Sequence, residues 1–158
     1  MCLSSKNRTP TRRITLKQHQ KAVNNYPSHP PQEIRILVVD DSPLMRSSLR
    51  HLLEPQDNWK VADEAANGRE AIAKFNDEKF DVVVLDFQMP EMDGLEAAKQ
   101  ITQRSATTPI LMVTMHATPQ LAVEAQKAGI RGICAKSDIK CVIEGVAAVL
   151  ENKPYFRN

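Results

Sequence analysis

The stretch Val82-Val83-Val84-Leu85-Asp86-Phe87-Gln88-Met89-Pro90-Glu91-Met92-Asp93-Gly94 decides how this chain is read. An apolar run rich in β-branched residues stops on one carboxylate, Asp86, and a turn built on Met-Pro and Asp-Gly follows at once. The run has the length and composition of a strand buried on both faces, as in a parallel sheet covered by helices. Open α/β sheets place their ligands at the carboxyl ends of such strands. Asp86 is therefore read as the reactive group.

The same pattern recurs on either side. Ile34 to Val39 is a first apolar run ending in Asp40-Asp41. Ser42 then caps a helix that Pro43 opens, with Leu44, Met45, Leu49, Leu52 and Leu53 as its apolar stripe and Pro55 at its end. Trp59 to Ala65 reads as a weaker strand, with Trp59 covering one end of the sheet. Asn67-Gly68 turns into a helix from about Arg69 to Asp77 that faces Ala71, Ile72 and Phe75 inward. After the strand Phe80 to Asp86 comes a helix from Gly94 to about Arg104 carrying Leu95, Ala98 and Ile101. Ile110 to Thr114 is the fourth strand, and Thr118-Pro119 opens a helix that stops at Gly129. Gly132 to Lys136 is a short fifth strand. Asp138 caps a last helix with Ile139, Val142, Ile143, Val146 and Leu150 inward. Five β-α alternations predict a doubly wound, five-stranded parallel sheet with right-handed crossovers and helices on both faces.

A chain of 158 residues has room for one domain with a proper core. The net charge of +2 is unevenly spread: six bases against Glu33 alone make the segment up to Glu33 basic, so the remainder is mildly acidic. Residues 1–32 show no apolar period and end in Pro27-Ser28-His29-Pro30-Pro31, so they are expected to form a disordered basic tail. The tail reads mainly as inert, with a basic arm or a transit-peptide character as the functional alternatives. The folded domain is expected over 33–151, and 152–158 as a tail or the start of a linker. No apolar run approaches a membrane span and no signal-peptide core is present. Three cysteines, Cys2, Cys134 and Cys141, lack metal-ligand spacing. Cys134 and Cys141 are expected to be reduced core residues of a cytoplasmic protein.

Four strand ends carry polar residues: Asp40-Asp41, Asp86, Thr114 and Lys136. In a parallel sheet all of them face one edge. Clustered carboxylates repel one another, which raises at least one pKa unless a cation is present. Mg2+ is the natural cation, hard and content with a few carboxylates plus water, and Mn2+ is its closest substitute. A carboxylate beside such a metal and a lysine can attack phosphorus and form an acyl phosphate. The lysine and the metal then neutralise the transferring oxygens, and the Thr114 hydroxyl can donate to one of them. Met112 and Met115 read as packing residues, His116 as a solvent-edge loop residue, and Arg46 and Arg50 as part of a solvated helix face.

These residues carry a family resemblance. Val38-Val39-Asp40-Asp41-Ser42-Pro43 resembles the acidic-pair turn of two-component response regulator receiver domains, and Leu85 to Gly94 resembles their phosphoacceptor segment. Thr114 matches the switch hydroxyl and Lys136 the lysine. The likeness runs from about Ile34 to Leu150 and implies the flavodoxin-like (βα)5 fold. It implies that Asp86 accepts a phosphoryl group from a sensor histidine kinase or phosphotransfer protein. It also implies that Asp41 ligates Mg2+ directly, Asp40 mainly through water, and the Gln88 backbone carbonyl as a further ligand. Lys136 would pair with the acceptor and then with the phosphate. Thr114 would draw in the following loop and repack the surface of the fourth helix, fifth strand and fifth helix. Ile133 stands where the family usually has an aromatic residue, and Ser137 where many members have proline.

Thr114-Met115-His116, Gly129 to Gly132 and Lys136-Ser137 resemble receivers of the NarL/FixJ class. Glu151 to Phe156 resembles the linker to that class's helix-turn-helix domain. The leading expectation is a phosphorylatable switch, not an enzyme with its own substrate, that controls a protein partner and forms a phosphorylation-dependent homodimer. The alternative is the receiver half of a helix-turn-helix transcription regulator. An aspartyl-phosphate hydrolase would need a second aspartate where Gln88 stands. A nucleotide-binding domain would need a glycine-rich loop where Asp40-Asp41 stands.

Overall fold

The computed structural model describes residues 31–157. The expected tail over 1–32 falls almost wholly outside them. Five strands and five helices alternate: β1 (Ile34–Val39), α1 (Pro43–Leu53), β2 (Trp59–Ala65), α2 (Gly68–Asp77), β3 (Val82–Asp86), α3 (Gly94–Arg104), β4 (Ile110–Thr114), α4 (Pro119–Lys127), β5 (Gly132–Ala135) and α5 (Ile139–Leu150). A two-residue strand, β6 (Tyr155–Phe156), follows. All pairings are parallel and the order is β2-β1-β3-β4-β5-β6.

The sheet thus has six strands, one more than the alternation predicts, and part of the expected 152–158 tail is the sixth. Glu151 N–H reaches back to Ala147 O, Lys153 N–H bonds Ala148 O, and Asn152 takes a left-handed φ of 59°. That turn closes α5 in the manner of a C-terminal cap and aims Pro154 back along β5. Two element ends also differ from expectation. The third strand begins at Val82 rather than Phe80, and β5 ends at Ala135, which leaves Lys136 in the loop.

Ser42, Thr118 and Asp138 cap their helices as the sequence reading expects, and the turn residues Asn67 and Asp93 also prove to be N-caps. Ser42, Asn67, Asp93, Thr118 and Asp138 each accept a backbone N–H from three residues on. The two faces of β3 explain its unbroken apolar run. Val83 and Leu85 pack in the cluster under α2, α3 and α4, while Val82 and Val84 pack under α1 and α5. Trp59 packs half-buried at the edge of the second cluster. Leu44 and Ile139, expected inward, are 78% and 62% exposed. Both stand on the first turn of their helices, where the apolar stripe has already rolled past the sheet edge. Met115, expected to pack, is also exposed, whereas Met112 is buried in β4.

Candidate functional site

At the carboxyl edge of the sheet, β1 delivers Asp40, β3 delivers Asp86, β4 delivers Thr114 and the loop after β5 delivers Lys136. Buried polar side chains are confined to this edge among the described residues: Asp40 is 1%, Asp86 4% and Thr114 1% exposed. Asp41 is exposed beside them. Carboxylate oxygens of Asp40, Asp41 and Asp86 lie within 4.8 Å of one another.

Lys136 closes the cluster. Its Nζ is 2.6 Å from Asp40 Oδ2 and 3.0 Å from Asp86 Oδ2. Asp40 Oδ2 is thus a buried oxygen with an ion contact but no hydrogen bond. Burial is the main cause that pushes the Asp86 carboxyl above the usual carboxylate range. The Asp40 charge adds to it, and Lys136 and the Gln88 N–H offset it only in part. Burial alone would lower Lys136, but its close contacts with the Asp40 and Asp86 carboxylates outweigh it and hold the ammonium above the ordinary lysine value.

The backbone fixes these side chains. Ser42 N–H donates to Asp40 Oδ1 at 2.9 Å, and Gln88 N–H donates to Asp86 Oδ1 at 3.3 Å. Asp86 pairs with Val113 in register, one residue before Thr114. Thr114 Oγ1 accepts from His116 N–H at 3.3 Å, and Thr114 O accepts from Lys136 N–H at 2.8 Å. The hydroxyl and the lysine are thus carried on directly bonded backbone.

Three supporting features lie outside the sequence reading. Arg46 donates Nη1 to Asp40 O at 2.7 Å and Nε to Glu64 Oε2 at 3.1 Å, so it anchors the acidic turn instead of standing on a solvated face. Its partners come from β1 and β2, and no local spacing shows them. Gly94 bonds Phe87 O through its N–H at 2.9 Å, and a Cβ there would lie 2.3 Å from Asp86 O. Only the Asp-Gly turn signal points to that close approach. Glu91 sits between them with φ at 68°, a left-handed backbone uncommon for a residue with a side chain.

The donor set fits a hard divalent cation. Three carboxylates offer oxygens close together, and Asp40 Oδ2 is a buried oxygen lacking a hydrogen bond. Chemically, such a cluster can present a partly desolvated carboxylate to an electrophile, with a fixed cation beside it to balance incoming negative charge.

Residues 36–145 match the family of response regulator receiver domains. The chemotaxis protein CheY of Listeria monocytogenes is 36% identical over 103 residues, which cover 65% of this chain and 86% of that protein. The crystal structure of a LuxR-family two-component response regulator from Aurantimonas sp. SI85-9A1 superposes with a TM-score of 0.75 at 33% identity, covering 78% of this chain and 89% of that one. The CheX-CheY-BeF3-Mg complex from Borrelia burgdorferi contains a chain that superposes with a TM-score of 0.71 at 26% identity, covering 75% of this chain and 90% of that one.

Proposed function

This chain belongs to the response regulator receiver family, and from that premise we propose that Asp86 is its phosphoacceptor, served by Lys136, Thr114 and an acidic metal site. The observation that carries the reading is the buried meeting of Asp86, Asp40 and Lys136 at one sheet edge. The donor is a phosphohistidine on a sensor kinase or phosphotransfer protein. An Asp86 Oδ attacks the phosphorus, the P–N bond breaks, and its electron pair leaves on the imidazole nitrogen. Lys136 shifts from the carboxylate pair to a phosphoryl oxygen and balances the charge that Asp86 can no longer carry alone. The Thr114 hydroxyl donates to another phosphoryl oxygen and gives up its bond from His116 N–H, which draws in the β4–α4 loop.

Mg2+, or Mn2+ in its place, would be held by Asp40, Asp41, Asp86 and the Gln88 carbonyl, and would supply charge neutralisation at the transferring oxygens. The BeF3 and Mg named in the Borrelia CheY complex support that assignment. The chain acts as a switch without a substrate of its own, and the reaction is placed in the cytoplasm. Among the described residues no helix is long and apolar enough to cross a membrane. The effector is a separate protein or a helix-turn-helix domain joined to the same polypeptide, and either would read the α4–β5–α5 surface.

Intact-mass measurement with acetyl phosphate and Mg2+ tests the reading. The wild type is expected to gain one phosphoryl group, and Asp86→Ala none. Labelling of Asp86→Ala at the wild-type level would overturn the assignment.

A further inference from the structure

Behind the lysine loop lies a second group of reactive side chains that phosphoryl transfer does not use. Cys134 on β5 and Cys141 on the first turn of α5 are both free and buried. Their sulfurs are 2.9 Å apart, with the Cys141 thiol donating to Cys134 Sγ and the Cys134 thiol donating to Cys141 O at 3.0 Å. A disulfide needs about 2.05 Å between sulfurs, so closure asks for roughly 0.9 Å of approach. The environment of the two thiols differs. Cys134 faces only protein: a Cβ on Gly145 would lie 3.0 Å from its sulfur. Cys141 lines a surface cavity of about 350 Å³ between the β4–α4 loop and α5, with Thr118, Asp138 and Arg157 on the same walls. Cys141 is 4% exposed and borders this cavity, whereas Cys134 is fully buried behind it, so an approach from solvent meets Cys141 first. Burial, reinforced by the hydrogen bond from Cys141, pushes the Cys134 thiol up, which keeps it protonated until its partner has reacted.

We propose that Cys134 and Cys141 form a reversible oxidation site in which Cys141 attacks hydrogen peroxide entering from the cavity and Cys134 closes the disulfide. In the first step the Cys141 sulfur takes one peroxide oxygen as the O–O bond breaks, giving the sulfenic acid and one hydroxide, which leaves as water with the thiol proton. In the second step the Cys134 sulfur displaces that hydroxyl, forms the S–S bond and releases a second water. Two thiols and one peroxide thus give one disulfide and two waters, with each sulfur oxidised by one electron and the peroxide reduced by two. The bond would tie β5 to α5 across the short loop that carries Lys136, so the oxidised ring encloses the residue that bridges Asp40 and Asp86. A ring this short in a domain reduced by default is expected to reopen readily with a thiol reductant.

The test uses the full chain with Cys2→Ser, which leaves the two core thiols in place. After brief exposure to hydrogen peroxide, intact mass should show the loss of two hydrogens in a monomer. Neither thiol should then react with a maleimide in denaturant, and dithiothreitol should restore both. Two maleimide-reactive thiols after exposure, oxygen addition without loss of two hydrogens, or intermolecular dimers would each overturn the proposal. In Cys141→Ser on the same background, Cys134 should stay unoxidised while the protein is folded. Oxygen added to Cys134 at the rate seen for Cys141 would overturn the assigned order of attack.

Discussion

At the scale of single residues, the site is held in tension. Asp86 has its carboxyl raised first by burial and then by Asp40, with Lys136 a partial remedy. A carboxyl whose folded value lies above its unfolded one, 3.8 in the ordinary case, favours the fold below that value. The benefit is lost as pH rises through the raised folded value, so at neutral pH the charge on Asp86 works against the fold. Asp86→Asn is therefore expected to stabilise the metal-free protein at pH 7 by about 1 kcal/mol, since Lys136 keeps Asp40 as its partner. The gain should shrink toward pH 3, where the wild-type carboxyl is neutral, and also with added Mg2+. Thermal melts across pH, with and without Mg2+, check both; a gain that grew on acidification would contradict the assignment of the raised group. The groups that meet here were legible because each ends an apolar run, and parallel strands bring their ends to one edge. Arg46 was not legible, because its partners, Asp40 O and Glu64, come from two strands and its own helix pattern only marks it as polar. Leu44, Ile139 and Met115 misled for a related reason: helical and strand periods tell which way a residue points, not where the neighbouring layer stops.

At the scale of elements, the fold was readable wherever a side chain bonds its own backbone. The five caps are local, so Ser, Asn, Asp and Thr before a periodic run announce them. What joins one element to another is not local. Lys74 on α2 reaches across to β2, 2.8 Å from Asp63 Oδ1 and bonded to Glu64 O, and pairs within its own helix with Glu70 Oε1 at 3.1 Å. Glu70 is held below the usual range first by the N–H of Ala66, against burial and with help from Lys74. Asp63 is raised by burial but more than compensated by Lys74 and the Glu64 N–H, so it too ends below its usual value. Lys74 is lowered by burial and raised further by its two partners. The depressed acids contribute stability above their unfolded values, 3.8 and 4.5, that disappears as pH falls through their folded values. The raised lysine contributes below 10.5 and is lost only above it. Lys74→Met should cost about 0.5–1 kcal/mol near pH 7 after solvent screening of these half-exposed pairs, and progressively less as pH falls through the depressed folded values of Asp63 and Glu70. Urea titrations at pH 7 and at pH 3 measure the difference; an equal loss at both would assign the effect to packing instead.

At the scale of the whole molecule, the alternation of strands and helices predicts a parallel sheet but does not order its strands; the order β2-β1-β3-β4-β5 follows from the family likeness and from the structure. The sixth strand was invisible for a simpler reason. Two residues between Pro154 and Arg157 are too short to show any period, and what makes them a strand lies elsewhere in the chain. Gly132 on β5 makes the room, since a Cβ there would lie 2.6 Å from Tyr155 O. Arg131 O accepts Tyr155 N–H at 2.8 Å, the Tyr155 hydroxyl donates to Glu144 at 3.0 Å, and Arg157 stands 3.3 Å from the same carboxylate. Phe156 pairs with Ile133 and packs against the α4 side of the core. The segment therefore covers a β5 edge that would otherwise present unpaired backbone, a surface prone to join a second chain. Ending the chain after Lys153 removes that cover without touching Asp40, Asp86 or Lys136. The shortened protein is expected to lose about 1–2 kcal/mol for the half-buried aromatic pair. It should also self-associate more strongly than the full chain at equal concentration, while accepting one phosphoryl group as before. Chemical denaturation, sedimentation velocity and acetyl phosphate labelling read the three outcomes separately. A shortened chain that stayed as monomeric as the full one would show that β6 stabilises the domain without shielding its edge.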